Sequence, residues 1–218
     1  MTRHPRLLDA YSCQGGAGMG YHLAGFDVVG VDSKPQDRYP FEFHQGDALE
    51  FIAEHADDFD AFHASPPCHD HSALRSRTGL DHGTGWLLDA TRQLFESIGK
   101  PYVIENVPGA VMAPQVILCG SMFNLGAAGR VLRRHRHFET STYVLCPPDQ
   151  CSGRRIGGVY GTGGGGQMTR GYKFTPTEAA EAMGISWMDT YGRSQALPPA
   201  YCEFLGAALL ADVAGVAA

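Results

Sequence analysis

The first half of the chain alternates short apolar runs with stretches of helical periodicity. Arg6-Leu7-Leu8-Asp9-Ala10-Tyr11 predicts a buried strand, stopped by Gly15, Gly16, Gly18 and Gly20. Met19 to Ala24 suits a helix ended by Gly25, and Phe26 to Asp32 is β-branched and brief, a second strand. Leu49 to Ala56 predicts a helix, Phe59 to Ala64 a strand, Gly85 to Ile98 a helix, and Tyr102 to Asn106 a further buried strand. Strands separated by helices imply an α/β fold, with a mostly parallel sheet and helices on both faces. In such sheets ligands bind beyond the carboxyl ends of the strands. From about Thr140 to Thr175 the period is lost, among Pro147-Pro148 and the run Gly163 to Gly166, and the pattern predicts a small irregular insertion. Helix signals resume at Thr177 to Met183, with Thr177 as cap and Gly184 as terminator, and again from Ala200 to Ala214. The expected organisation is a core over 1–139, an insertion over 140–176, and C-terminal helices over 177–218 that complete the core.

Composition agrees with one such domain: 218 residues, 44% hydrophobic and 18% charged. No apolar run reaches the roughly eighteen residues a membrane span needs, and the first dozen residues turn polar too early for a signal peptide. Six scattered cysteines do not resemble a secreted disulfide framework, so a reducing cytoplasm is expected. The net charge of -6 hides an uneven distribution. Residues 130–173 hold eight Lys and Arg against two acids, a local +6 that leaves the remainder at -12. That split points to one basic face of the kind that contacts a phosphate backbone.

Candidate chemistry gathers at the predicted strand ends. Tyr11-Ser12-Cys13-Gln14-Gly15-Gly16 is a glycine-rich turn into a helix, where backbone N–H groups can approach a ligand. Asp32 ends the second strand about twenty residues on, placed for ribose hydroxyls, and Asp47 suits an adenine amino group. Ser65-Pro66-Pro67-Cys68 projects a thiol from a rigid turn, and Glu105-Asn106 ends a neighbouring strand. A thiolate and a carboxyl group so placed can activate an electron-poor ring. Cys146 and Cys151, with His135 and His137 upstream, read as a coincidental pair, and no metal site is expected. Gly163 to Gly166 lacks the Lys-Ser/Thr of a nucleotide loop and reads as a hinge.

In order, the segments DAYSCQGGAGMGYHLAGF, GVDSKP, GDAL, SPPCHDHS, VIENVPGA and RRHRHFE, with SQALPPAY late in the chain, resemble the DNA cytosine C5 methyltransferase family, notably its compact phage-type members. The resemblance covers about residues 6–140 and 177–210. It implies a Rossmann-like methyltransferase fold and a covalent mechanism on a cytosine flipped out of the stack. Cys68 would attack C6, Glu105 would contact N3 and the exocyclic amine, and Arg134 and Arg136 would position the base and the catalytic loop. S-adenosylmethionine would be held by Tyr11, Ser12, Cys13, Gly15, Gly16, Asp32, Ser33, Asp47, Ala48, Pro66 and Gln195. DNA would be met by Arg75 and Arg77 of the loop His69 to Gly85, and by Arg154, Arg155, Arg170 and Lys173.

The chain departs from the family at Cys13, where glycine is usual, at Gln14, at His69, where glutamine is usual, and at Gln195, where asparagine is usual. The first two leave open a modified donor that delivers a substituted methyl group. The short insertion leaves open a free cytosine nucleotide as substrate and predicts short or relaxed specificity on DNA. A non-catalytic module binding donor and DNA is the remaining alternative, disfavoured by Cys68, Glu105 and Arg134 standing together. The expected setting is a monomer in the cytoplasm of a bacterial or phage-infected cell, with DNA as partner and no membrane.

Overall fold

The computed structural model describes residues 3–67, 85–108, 110, 112, 116–149, 151–161, 165–168 and 171–215. Its centre is a seven-stranded sheet in the order β3-β2-β1-β4-β5-β9-β6. The strands are β1 (Arg6–Ala10), β2 (Asp27–Asp32), β3 (Glu42–Gln45), β4 (Ala61–Ala64), β5 (Tyr102–Asn106), β6 (Val116–Leu118) and β9 (Arg136–Thr140). The first five are parallel, and β9 runs antiparallel to both β5 and β6. The mostly parallel sheet read from the sequence is the one found, and β1 and β4 flank the point where strand order reverses.

Alternate side chains of each strand enter two cores. Leu7, Val28, Ala61 and Val103 pack beneath helices α1 (Gly16–Ala24) and α6 (Pro199–Val213). Leu8, Val29, Val31, Phe62 and Ile104 face α2 (Ala48–His55) and α3 (Trp86–Ile98). Helices therefore cover both faces. The first helix starts three residues earlier than its apolar period suggests, because its glycines are inside it. Gly15 caps it at φ 81. A Cβ on Gly20 would stand 2.2 Å from the Pro199 carbonyl, and one on Gly16 2.5 Å from that of Leu197, so α6 and the segment before it can lie against α1 only where side chains are missing.

Around the edge lies a second sheet of five short strands, β11-β12-β10-β8-β7. It joins β7 (Gly126–Ala127) and β8 (Arg130–Leu132) to β10 (Ile156–Gly158), β11 (Gly166–Met168) and β12 (Gly171–Lys173). The insertion is thus not irregular throughout. Strands of two or three residues, several of them glycine, leave no period for a sequence pattern to carry. This sheet also draws on residues before 140, so sheet membership cuts across the sequence boundary between core and insertion. Helices α4 (Pro176–Met183) and α5 (Thr190–Gln195) close the chain toward α6. Thr175, rather than Thr177, caps α4: its hydroxyl accepts from the Glu178 N–H and the Glu178 carboxylate accepts from the Thr175 N–H, with Pro176 opening the first turn.

Candidate active site

A cavity of ≈ 270 Å³ opens beyond the carboxyl ends of β1, β2, β4 and β5, near the lower edge of the ~300–1,000 Å³ usual for small-molecule sites. Tyr11, Cys13, Asp32, Ser33, Pro66, Glu105, Arg136 and Gln195 line it, eight of the residues singled out from the sequence. A narrower recess against it is lined by Ser12, Gly16 and Leu197 as well. Lys34, Gln36, Ser65, Val107 and Tyr191 also line the main cavity and went unpredicted. Tyr191 stands on α5, whose approach to the first strand end no local pattern announces.

The glycine turn is held in shape by an acid. Asp32 accepts the Cys13 N–H at 3.0 Å on one oxygen and the Lys34 N–H at 3.0 Å on the other, which leaves further acceptor sites on both. Cys13 sits at φ 45, in the left-handed region, so the position where the family resemblance places glycine keeps the glycine conformation. Burial pushes the Cys13 thiol up, which keeps it neutral. Gln14 bonds to the far end of the chain: its amide donates to Asp189 at 3.2 Å, its side-chain oxygen accepts the Asp189 N–H, and its carbonyl accepts the Trp187 indole N–H. Its size is thereby explained by packing on α5. Ser12 is buried and its hydroxyl has no hydrogen-bond partner among the described residues, an expensive state that a ligand's polar atom in the recess would relieve. Asp47 spends one oxygen capping α2 through the Leu49 and Glu50 N–H groups, and Ala48 beside it is buried.

On the other side of the cavity, Glu105 ends β5, nearly buried. Arg136 Nε lies 2.9 Å from its Oε1 in an ion pair, although among the described residues that oxygen has no well-aligned hydrogen bond. Burial raises the Glu105 pKa, against the opposing pull of Arg136, Arg134 and a hydrogen bond from Ser65. The carboxyl group therefore holds its proton to higher pH than an ordinary glutamate, which suits a donor to a ring nitrogen. Asn106 donates to the Pro66 carbonyl at 3.3 Å and ties the Pro-Pro turn to the end of β5. Cys68, Arg75, Arg77 and Arg170 lie outside the described residues.

Beneath the turn the sequence reading missed a buried polar layer. Asp9 and His63 are register partners on β1 and β4, both about fully buried. Tyr39 donates to Asp9 at 3.2 Å, while His63 bridges the Tyr21 hydroxyl (3.0 Å) and the Ser65 hydroxyl (2.9 Å). Ser65 in turn reaches Glu105, so the layer supports the acid from below.

Two basic residues occupy unexpected settings. Arg134 is buried and its guanidinium donates to the carbonyls of Val159, Ser194 and Ala196, which locks the Gln195 segment against the second sheet. Lys173 is buried too, 7% exposed, with its ammonium over the Tyr160 ring. β12 turns its side chain inward onto that ring, a setting that charge counting does not reveal. Arg154 and Arg155 are exposed, and with Arg130 they line a separate groove of ≈ 480 Å³ formed with the β7–β8 turn and Glu181 of α4. Among the described residues no helix is long and apolar enough to cross a membrane.

Residues 6–117 match the family described as C-5 cytosine-specific DNA methylase. Over 123 residues the chain is 28% identical to the type II methyltransferase M.AquIA of Picosynechococcus sp., a match covering 49% of this chain. The chain spans about half the length of that curated relative, 50%. Two solved structures share its fold over 97% of this chain and 99% of theirs: Schizosaccharomyces pombe Dnmt2 methyltransferase, at TM-score 0.64 and 14% identity, and the Entamoeba histolytica methyltransferase EhMeth, at 0.63 and 12%.

Proposed function

The chain belongs to the C-5 cytosine-specific DNA methylase family, and we propose from that premise that it transfers a methyl group from S-adenosylmethionine to C5 of a cytosine in DNA. The observation that carries the reading is one cavity that gathers the glycine turn, Asp32, the Pro66-Pro67 turn leading to Cys68, and a buried Glu105 paired with Arg136. The residues fit the donor. The Ser12 hydroxyl, without a partner among the described residues, and the spare acceptor sites of Asp32 offer it polar contacts, and Tyr11, Pro66 and Gln195 offer walls. When bound, that donor supplies an electrophilic methyl group at its sulfonium.

The Cys68 thiolate bonds to C6 of the ring while Glu105 gives a proton or hydrogen bond to N3, so the electron pair of the C5–C6 double bond becomes available at C5. After C5 has gained its substituent, loss of the C5 proton lets the C6–sulfur bond break and frees the thiolate. Arg136 holds Glu105 in place. Arg134 acts as a positioning residue through the backbone it grips. A second reading, transfer of a substituted methyl group, is favoured by one observation: the Cys13 side chain lines the cavity where the family resemblance places glycine.

The test is the mass of the product. After incubation with DNA and S-adenosylmethionine, nucleoside digestion should yield 5-methylcytosine and no other new base. Failure to modify DNA, with modification of free cytidine nucleotides instead, would overturn the polymer substrate.

The basic groove predicts a separable effect. Each phosphate contact steepens the dependence of log affinity on log salt by ~0.9. Replacing Arg154 and Arg155 by alanine should therefore reduce that slope by about 1.8 and weaken all DNA sequences alike. Filter binding across salt checks this; an unchanged slope removes the groove from the DNA-contacting surface.

A further inference from the structure

Four side chains from three separate segments converge beside the second sheet. Cys119 follows β6 and caps the short 3-10 turn Gly120–Phe123; His135 lies between β8 and β9; Asp149 and Cys151 belong to the loop beyond β9. One ligand atom from each lies within 4.8 Å of every other. We propose that this is a zinc site.

Four ligands with two sulfurs, one imidazole nitrogen and one carboxylate oxygen form a donor set that suits tetrahedral zinc and leaves no open position, the pattern of a structural rather than a catalytic metal. The spacings agree. His135 Nε2 and Asp149 Oδ2 are 3.3 Å apart, the edge expected of a tetrahedron with bonds of ~2.0 Å. The two sulfurs are 3.2 Å apart and unbonded, and need to part by only about half an ångström to bind one ion at ~2.3 Å each. The surroundings are arranged to free one oxygen. Ser121 donates to Asp149 Oδ1 at 2.5 Å and the Cys151 N–H donates to the same oxygen at 3.0 Å, so Oδ2 is turned toward the other ligands.

Zinc would take both sulfurs as thiolates and His135 through Nε2. Cys146, the other cysteine of the sequence pair, is exposed and takes no part. The ion would fix His135, and with it the flanking Arg134, which grips the Gln195 segment, and Arg136, which holds Glu105. It would also anchor the loop that leads into Arg154 and Arg155.

The experiment uses the full chain, purified under reducing conditions without chelators. Mass spectrometry of metals should find one zinc per chain. Titration of the stripped protein with Co²⁺ should give a thiolate-to-cobalt charge-transfer band that saturates at one equivalent. Cys151→Ser and Asp149→Ala should each weaken Co²⁺ binding tenfold or more, whereas Cys146→Ser should leave it unchanged. A folded wild-type chain that gives no such band overturns the proposal without reliance on any variant. So does a Cys146→Ser loss equal to that of Cys151→Ser, or a peptide map that finds Cys119 and Cys151 joined as a disulfide.

Discussion

Cys68→Ser is expected to lower group transfer by at least about a thousandfold, the scale on which an enzyme loses rate when a nucleophile is removed from a set that acts together. A serine hydroxyl is ionised far less at neutral pH than a thiol and is the weaker nucleophile there. Donor affinity should stay within about twofold, because the polar donor contacts proposed above, Ser12 and Asp32, lie on the β1 and β2 strand ends and the Pro66 wall is kept. Glu105→Gln should also cost several orders of magnitude, since the amide cannot give N3 a proton and leaves the Arg136 guanidinium without its acid in a setting only 16% exposed. If the two residues act as one unit, the double variant will be no slower than Cys68→Ser alone. Single-turnover rates with labelled donor, beside calorimetric titration of donor, separate these outcomes. The wild type should also form a denaturation-resistant adduct with DNA containing 5-fluorocytosine. Full turnover by the serine variant would sink the nucleophile assignment.

Cavity-lining residues were legible where the chemistry sat next to a strand signal. Tyr11, Asp32, Pro66 and Glu105 each end a short apolar run, and a parallel sheet brings such ends to one edge whatever the details of packing. Residues whose partners come from distant segments were not legible. Gln14 looks like a change in donor chemistry until Asp189 and Trp187 are found beside it. Lys173 counts as a surface charge until β12 is seen to turn it onto Tyr160. Cys151 finds Cys119 rather than Cys146 because β6 and the loop after β9 meet only in the folded chain. Asp9 reads as part of a motif, yet its surroundings depend on the register of β1 against β4 and on Tyr39 crossing from another element.

That buried layer makes stability depend on pH in a defined direction. Burial pushes the Asp9 carboxyl up to about 8 from 3.8, with Asp32 adding to the rise and the Tyr39 hydroxyl and Gly18 N–H opposing it. Between those values the folded chain keeps a proton that the unfolded chain has lost. Unfolding then releases a proton, so stability falls as pH rises, by about 1.4 kcal/mol per pH unit for one such group. His63 acts in the opposite sense over a different window. Burial lowers its pKa to about 3 from 6.5, so from 3 to 6.5 the unfolded chain binds the extra proton and stability rises with pH. From about 4 to 6.5 the two slopes cancel. From about 6.5 to 8 His63 no longer offsets Asp9, and stability declines toward pH 8, with the raised Glu105 carboxyl acting in the same sense as Asp9. Asp9→Asn keeps an acceptor for the Tyr39 hydroxyl and removes the proton that titrates. The variant should lose the Asp9 share of the decline and be the more stable protein at pH 8 by several kcal/mol, while differing little near pH 4. Urea unfolding at half-unit pH steps gives both slopes; a variant with the wild-type slope between 6.5 and 8 would show that Asp9 is ionised in the fold, its charge carried by Tyr39 and the Gly18 N–H.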